Sequence, residues 1–385
     1  MLQPDSIVIT GMGVMTPLGN TVPIFWEALL QQRSAIEPQE DLAALGFKHI
    51  YAARIKELIS LPENRGLELA KTAIQQAIEQ SKLNPGDLNS VKLIIGTTMG
   101  ESAAFESFAE GQSIPLGQYN GNGVAKKVAA HFQLLPNTTC VGTACAAGNY
   151  AIGTAAWLLK EKKYKQIIAG GVEPFSKTAH VGFSRSRAMS ATGCKPFDKS
   201  HDGMTLGEGA AFVVMELWEN ASKRKAFPLA QIHALGLTCD AFHPTAPHPS
   251  GIKMSKSIYS ALRLAQINTD DIGWICIHGS GTEASDTAEW NAMQLMDKKE
   301  RLHFAGYKGA IGHSLGAASA LEAIVCIQSL LHKIIPASAG LNEPFMRNDL
   351  LAPVLQNERF EKRYVLNTAY AFGGLNSALV IGKAG

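Results

Sequence analysis

Two stretches rich in small residues, one in each half of the chain, each open a long apolar helical pattern: Cys145-Ala-Ala-Gly-Asn-Tyr-Ala-Ile-Gly and His313-Ser-Leu-Gly-Ala-Ala-Ser-Ala-Leu. A chain that repeats such a helix start is read as a duplicated fold, which brings both starts to one central site. The surrounding pattern agrees. Strand-like runs at 6–10, 91–96, 166–170 and 211–216 accompany an amphipathic helix at 67–81 in the first half. Runs at 229–237, 274–278, 364–368 and 377–381 accompany helices near 253–265 and 317–332 in the second. Such alternation is the signature of layered α/β architecture. The best boundary is 218–228, Trp-Glu-Asn-Ala-Ser-Lys-Arg-Lys-Ala-Phe-Pro, which divides the chain into halves 1–222 and 223–385.

In Thr143-Ala-Cys-Ala-Ala-Gly148 an extended run, 137–141, gives way to the helical pattern 150–159. Cys145 therefore sits at a strand-to-helix turn, where backbone N–H groups and the positive helix end are expected to favour thiolate over thiol. Ala144, Ala146, Ala147 and Gly148 let another backbone or an acyl chain approach the sulfur. An arbitrary cysteine is more often a buried core thiol; the position and neighbours of this one reverse that reading. His278 ends the apolar run Trp-Ile-Cys-Ile and enters Gly-Ser-Gly-Thr282, a turn that leaves room for a substrate. His313 follows Lys308-Gly-Ala-Ile-Gly312 and opens a helix whose dipole disfavours imidazolium, so its ring is expected to be a neutral donor. Each histidine alone reads as a satisfied buried or capping residue. A cysteine, two histidines and a lysine at element ends together suffice for acyl transfer.

Composition removes other classes. A net charge of +2 with 18% charged residues gives no sign of nucleic-acid binding. The six cysteines (140, 145, 194, 239, 276 and 326) form no CxxC pair, and the amino terminus lacks a basic segment followed by an apolar one, so a reducing, cytoplasmic setting is expected. No apolar run reaches the ~20 residues of a membrane span, the longest candidates being interrupted by polar residues or glycines. His243 and His248 lie in Phe-His-Pro-Thr-Ala-Pro-His-Pro without the carboxylates or thiols of a metal site, and no GxGxxG or P-loop calls for a nucleotide.

Eight motifs in order make the chain resemble the β-ketoacyl-acyl-carrier-protein synthases, the Cys-His-His condensing branch of the thiolase superfamily. They are 8–19 (Val-Ile-Thr-Gly-Met-Gly-Val-Met-Thr-Pro-Leu-Gly), 143–148, 169–173 (Ala-Gly-Gly-Val-Glu), 195–198 (Lys-Pro-Phe-Asp), 202–203 with 207–210, 278–282 with Asp286, 308–313, and Asn367 through 372–374 (Phe-Gly-Gly). The resemblance implies a thiolase-like duplicated fold in five layers, α-β-α-β-α. It implies that Cys145 takes an acyl group from a phosphopantetheine thioester, and that His278 and His313 assist decarboxylation of a malonyl thioester and stabilise its enolate. Lys308 and Glu322 would support the histidines. The N–H groups of Cys145 and Phe372 would form an oxyanion hole, with Phe372 a gate swinging on Gly373 and Gly374. Thr245, Ser280 and Thr282 would hold the pantetheine arm. No resident cofactor is implied, because the phosphopantetheine arrives on the acyl carrier protein, and no metal, nucleic acid or membrane partner is implied.

The pattern also departs from the fatty-acid enzymes: the 189–195 loop and the 41–63 region are short, Lys195 stands for an arginine and Ser280 for a threonine. This trimming points to a specialised polyketide or polyene pathway. An acidic carrier needs a basic landing site, for which Arg65, Lys71, Lys126, Lys127, Arg185 and Arg187 are candidates. The resemblance further implies a dimer, homodimeric or with a chain-length-factor homologue, whose acyl pocket is completed across the interface by 111–123. The alternative is that the chain is itself a non-catalytic chain-length subunit, but such subunits lose the nucleophile and this chain keeps Cys145, His278 and His313. A degradative thiolase would carry a second cysteine near the carboxyl terminus, and none follows Cys326.

Overall fold

The computed structural model describes residues 2–56, 58, 64–113 and 122–385. Eleven strands join edge to edge in one sheet. The first half supplies β1 (Ile7–Met15), β2 (Lys92–Gly96), β3 (Thr139–Val141), β4 (Gln166–Glu173) and β5 (Gly209–Leu217). The second supplies β6 (Ala230–Cys239), β7 (Ile272–Cys276), β8 (Leu302–Ala305), β9 (Leu351–Pro353), β10 (Tyr364–Ala371) and β11 (Leu375–Gly382). From the seam outward the first half runs β1-β5-β4-β2-β3 and the second β6-β11-β10-β7-β8, with β9 added at its edge. Leaving β9 aside, each half therefore places its own strands in the order first, fifth, fourth, second, third. Their directions match as well: two antiparallel pairings next to the seam, then two parallel ones. The halves meet where Ile7 to Ile9 of β1 pair with Ala230 to Ile232 of β6.

Period-two alternation explains the layers. Along β5, Ala211, Val213, Met215 and Leu217 face a central core, while Ala210, Phe212 and Val214 face an outer one. In the second half Val365, Leu379 and Ile381 face the same central core, and Leu366, Ala378 and Val380 face a third. The helices α1 (Arg65–Ser81) and α2 (Gly123–His131) close the first outer core, whereas α5 (Ile252–Ala265) and α6 (Glu283–Gln294) close the third. Between the sheet halves lie α3 (Ala147–Lys160) and α7 (Leu315–His332), which completes the five layers. A shorter helix, α4 (Lys177–Arg185), follows β4. Because strands in the middle are buried on both faces, they run on past the expected ends: β4 reaches Glu173 and β10 reaches Ala371.

Among the described residues α7 is the one helix long and apolar enough to span a membrane, yet 89% of it is buried between the sheet halves. Its apolarity on all sides is that of a core helix. Close approach of α3 to α7 depends on Gly148, where a Cβ would sit 2.5 Å from the Ala320 nitrogen.

Candidate active site

Cys145 lies in a single tight turn, Ala144–Ala146, between β3 and α3. The turn holds Ala144 at φ +47°, a left-handed conformation that costs a non-glycine residue about 1–2 kcal/mol. The second half repeats the strain, with Leu315 at φ +41° two residues after His313. His278 projects just beyond β7, which ends at Cys276, and His313 just ahead of α7. Cys145, His278 and His313 line one cavity of about 410 Å³. The duplicated helix starts thus converge as the sequence implies.

The two imidazole rings lie 5.3 Å apart at 74°. Burial pushes both well below the ordinary histidine range, and the Lys308 ammonium adds to this. Both rings are therefore neutral at physiological pH. The Leu315 N–H donates to His313 Nδ1 at 3.1 Å, which leaves the proton on Nε2. Lys308 donates to the His278 carbonyl oxygen and pairs with Glu322 at 2.5 Å, both side chains being buried. Burial lowers the lysine's proton affinity, but Glu322 outweighs this and keeps it cationic. Burial pushes Glu322 itself up to about 7.

The thiolate expected at the helix start is overturned. Cys145 is 7% exposed, and burial pushes its thiol up to about 12, against the opposing pull of Lys308. An apolar shell of Met189, Met204, Leu206 and Leu315 surrounds the sulfur and removes the water that would solvate a thiolate. Burial thus favours the thiol over the thiolate at Cys145.

Phe372, 37% exposed, stands on the turn between β10 and β11 against Phe183, with ring centroids 5.6 Å apart. Gly373 and Gly374 follow at φ +84° and +74°, which side chains other than glycine rarely adopt. Asp240 ties this turn to the 240–248 loop. Its N–H donates to the Gly374 oxygen, and its carboxylate accepts from Asn376 Nδ2 and the His248 N–H, each at 2.8 Å. Thr245, Ser280 and Thr282 line the cavity with Phe372, and the Ser280 and Thr282 hydroxyls are 2.9 Å apart. His243 and His248 cap local turns through Nδ1, which accounts for their places in the loop.

Two family models match the chain, the β-ketoacyl synthase N-terminal domain over residues 4–221 and the C-terminal domain over 229–342. The chain belongs to the β-ketoacyl synthases. It is 31% identical over 420 residues to 3-oxoacyl-[acyl-carrier-protein] synthase 2 of Coxiella burnetii, an alignment covering 99% of each. It is 29% identical to the tetracenomycin polyketide synthase ketoacyl synthase alpha subunit of Streptomyces glaucescens, covering 98% of this chain and 97% of that one. Among solved structures, the ishigamide ketosynthase/chain length factor superposes over 100% of both chains with a TM-score of 0.92 at 29% identity. This synthase is accordingly a condensing acyltransferase with the thiolase-like fold.

Some residues of this β-ketoacyl synthase escaped the sequence reading. Glu173, fully buried, accepts from the Thr97 hydroxyl and the N–H groups of Thr98, Met99 and Gly316 at 2.7–3.0 Å, so a carboxylate of the first half caps α7 of the second. Glu289 accepts the N–H groups of His278 and Gly279, each at 2.8 Å, and burial pushes it up to about 7. Its signal was the spacing from His278, which places it on α6 facing back to that histidine. The docking candidates separate. Arg65 is no free cation: it holds buried Glu208 through two bonds, at 2.5 and 2.7 Å, and donates to the Leu58 and Ile55 oxygens. Lys71 pairs with Glu68 and Lys127 with Glu101. Lys126, Arg185 and Arg187 are exposed, and of the six only Arg187 lines the cavity mouth. Most of 111–123 lies outside the described residues, at 114–121.

Proposed function

We propose that this synthase catalyses decarboxylative Claisen condensation between an acyl group on Cys145 and a malonyl group on acyl carrier protein. The observation that carries this reading is the pair of neutral imidazoles facing one another in the cavity that holds the thiol. In the first half-reaction the Cys145 sulfur attacks the acyl thioester and the pantetheine thiolate leaves, taking up the proton the cysteine gives up. In the second, the malonyl C–C bond breaks and CO₂ departs. The electron pair moves to the thioester oxygen, where Nε2–H of His313 and the His278 ring stabilise the enolate. The enolate carbon then attacks the acyl-cysteine. The N–H groups of Cys145 and Phe372 stabilise the tetrahedral oxyanion, which collapses to expel the sulfur and release 3-oxoacyl carrier protein. Lys308, held by Glu322, fixes the His278 main chain, and its charge adds to the burial that keeps both rings neutral.

Phe372 on Gly373 and Gly374 acts as the gate, and Thr245, Ser280 and Thr282 hold the pantetheine arm. The reading needs no resident cofactor. Arg187, with Arg185 and Lys126, supplies the basic contacts for the carrier. A dimer is supported by the place of β3 as an edge strand among the described residues and by exposed Phe105, Phe108 and Trp157. The structural relative described as a ketosynthase/chain length factor supports a homologous chain as partner. The catalytic set argues against a purely chain-length-setting role.

Intact-mass measurement after incubation with acyl carrier protein tests the nucleophile. The expected result is one acyl adduct on the wild type and none on Cys145→Ala. Persistent acylation of the variant would overturn the assignment.

A further inference from the structure

Beside the catalytic set, the cavity holds a second histidine–carboxylate contact that the condensation does not use. His201 lines the cavity and its side chain is 7% exposed. Its Nδ1 lies 3.0 Å from Asp286 Oδ2, and the ring leans on Phe345 with centroids 4.8 Å apart. Asp286 is wholly buried in the first turn of α6. The same carboxylate accepts the Phe197 N–H at 2.8 Å and the Gly281 N–H at 3.1 Å. Gly281 is the middle residue of the Ser280-Gly281-Thr282 turn. That turn is also tied to the 194–203 segment by Gly203 N–H to the Gly281 oxygen at 3.0 Å, and by the Cys194 thiol to the Ser280 oxygen at 3.3 Å.

Resting on the reading that this turn grips the pantetheine arm, we propose that His201 is a positioning residue for the arm. Its imidazolium neutralises Asp286, and the salt-linked carboxylate, through the Gly281 N–H, fixes the turn that carries the Ser280 and Thr282 hydroxyls. A buried carboxylate without that cation would carry an uncompensated charge directly under Gly281, and the turn would relax toward water. The charges facing His201 are consistent with a cation there. Asp286 and Glu283 come from α6 and Asp198 from its own segment, and together they outweigh burial and raise its proton affinity. Phe345 contributes no charge, Asp202 shares the cavity wall, and Arg187 is the one arginine lining the cavity. Because the ring's folded proton affinity is raised above the ordinary 6.5, the ion pair is complete well below pH 6.5 and is lost as pH rises through the raised value.

The experiment compares wild type, His201→Gln and His201→Arg in steady-state condensation with malonyl carrier protein from pH 6 to 9. Gln keeps a donor without the charge, and Arg keeps the charge at every pH. For the wild type, KM for malonyl carrier protein is expected to rise about tenfold toward alkaline pH, with kcat changing less than threefold. Gln should hold the high KM at all pH values, and Arg should flatten the profile at the low KM. Any of three results would overturn the role: an unchanged KM in Gln, a loss confined to kcat, or an Arg profile that bends like the wild type. Acyl loading of Cys145 in the same samples separates the two ideas. Failure of the wild type to load defeats the condensation reading, whereas normal loading with an unresponsive Gln variant defeats only the role of His201.

Discussion

The two halves of this synthase have the same strand order and the same directions, yet two of their buried carboxylates, Glu173 and Glu322, are satisfied in opposite ways. In the first half Glu173 stands alone and is satisfied by three backbone N–H groups and one hydroxyl. In the second half Glu322 is matched by Lys308, and the lysine reaches on to the His278 main chain. A carboxylate satisfied by backbone donors fixes geometry only. A carboxylate satisfied by an ammonium also leaves a positive charge beside two imidazoles, which adds to the burial that keeps them neutral. Both carboxylates bear on α7: Glu173 caps its first turn through the Gly316 N–H, and Glu322 lies within it. The sheet edges diverge too: among the described residues β9 is added at the second half's edge, while β3 is the last strand of the first half.

The sharpest way to break this contrast is Lys308→Met. Leaving Glu322 buried without its partner should cost about 3–5 kcal/mol of stability. Chemical denaturation would read this as a lowered midpoint with an unchanged slope, and a loss below about 1 kcal/mol would mean that the pair is not a structural necessity. Glu173→Gln, which retains an acceptor for the backbone donors, should lose distinctly less.

Next in size is the electrophile. In a Cys145→Gln background, release of CO₂ from malonyl carrier protein should continue, and adding His278→Ala or His313→Ala should slow it about 10²–10³-fold. Unchanged release in either double variant would remove that ring from the enolate model. Gly148→Ala addresses the seam: its Cβ collides with the α7 backbone, so a loss of about 1–3 kcal/mol is expected by thermal unfolding. The same substitution at Gly182, where a Cβ meets nothing within 4 Å, should be close to neutral.

The smallest effect concerns pH. His278 and His313 have folded proton affinities depressed well below 6.5, so the unfolded chain takes up protons that the native one refuses. Their contribution is present above pH 6.5 and lost as the medium is acidified, at about 1 kcal/mol per ring and pH unit. Melting curves from pH 7.5 to 5.5 should show a smaller acid loss for the His278→Asn, His313→Asn double variant than for the wild type. Parallel losses would contradict neutral burial of the rings.

How much of this was legible beforehand follows from range. The motif around Cys145, the Gly-Ser-Gly-Thr turn after His278 and the Lys308-to-His313 stretch are local, because chemistry needs those residue types at those spacings, and the sequence by itself placed them at element ends. It also determined the duplicated, layered architecture, since strand and helix periodicities are written within each segment. What it could not carry was desolvation. Whether Cys145 rests as thiol or thiolate depends on Met189, Met204, Leu206 and Leu315 closing around the sulfur, and these come from elements far apart in the chain. For the same reason Arg65 read as a free surface cation until Glu208 was found beneath it, and His201 and Glu289 drew no notice until folding set them on Asp286 and His278. Spacing along the chain selects the reacting groups. Only tertiary packing sets which of their charges water can reach, and that sets their protonation.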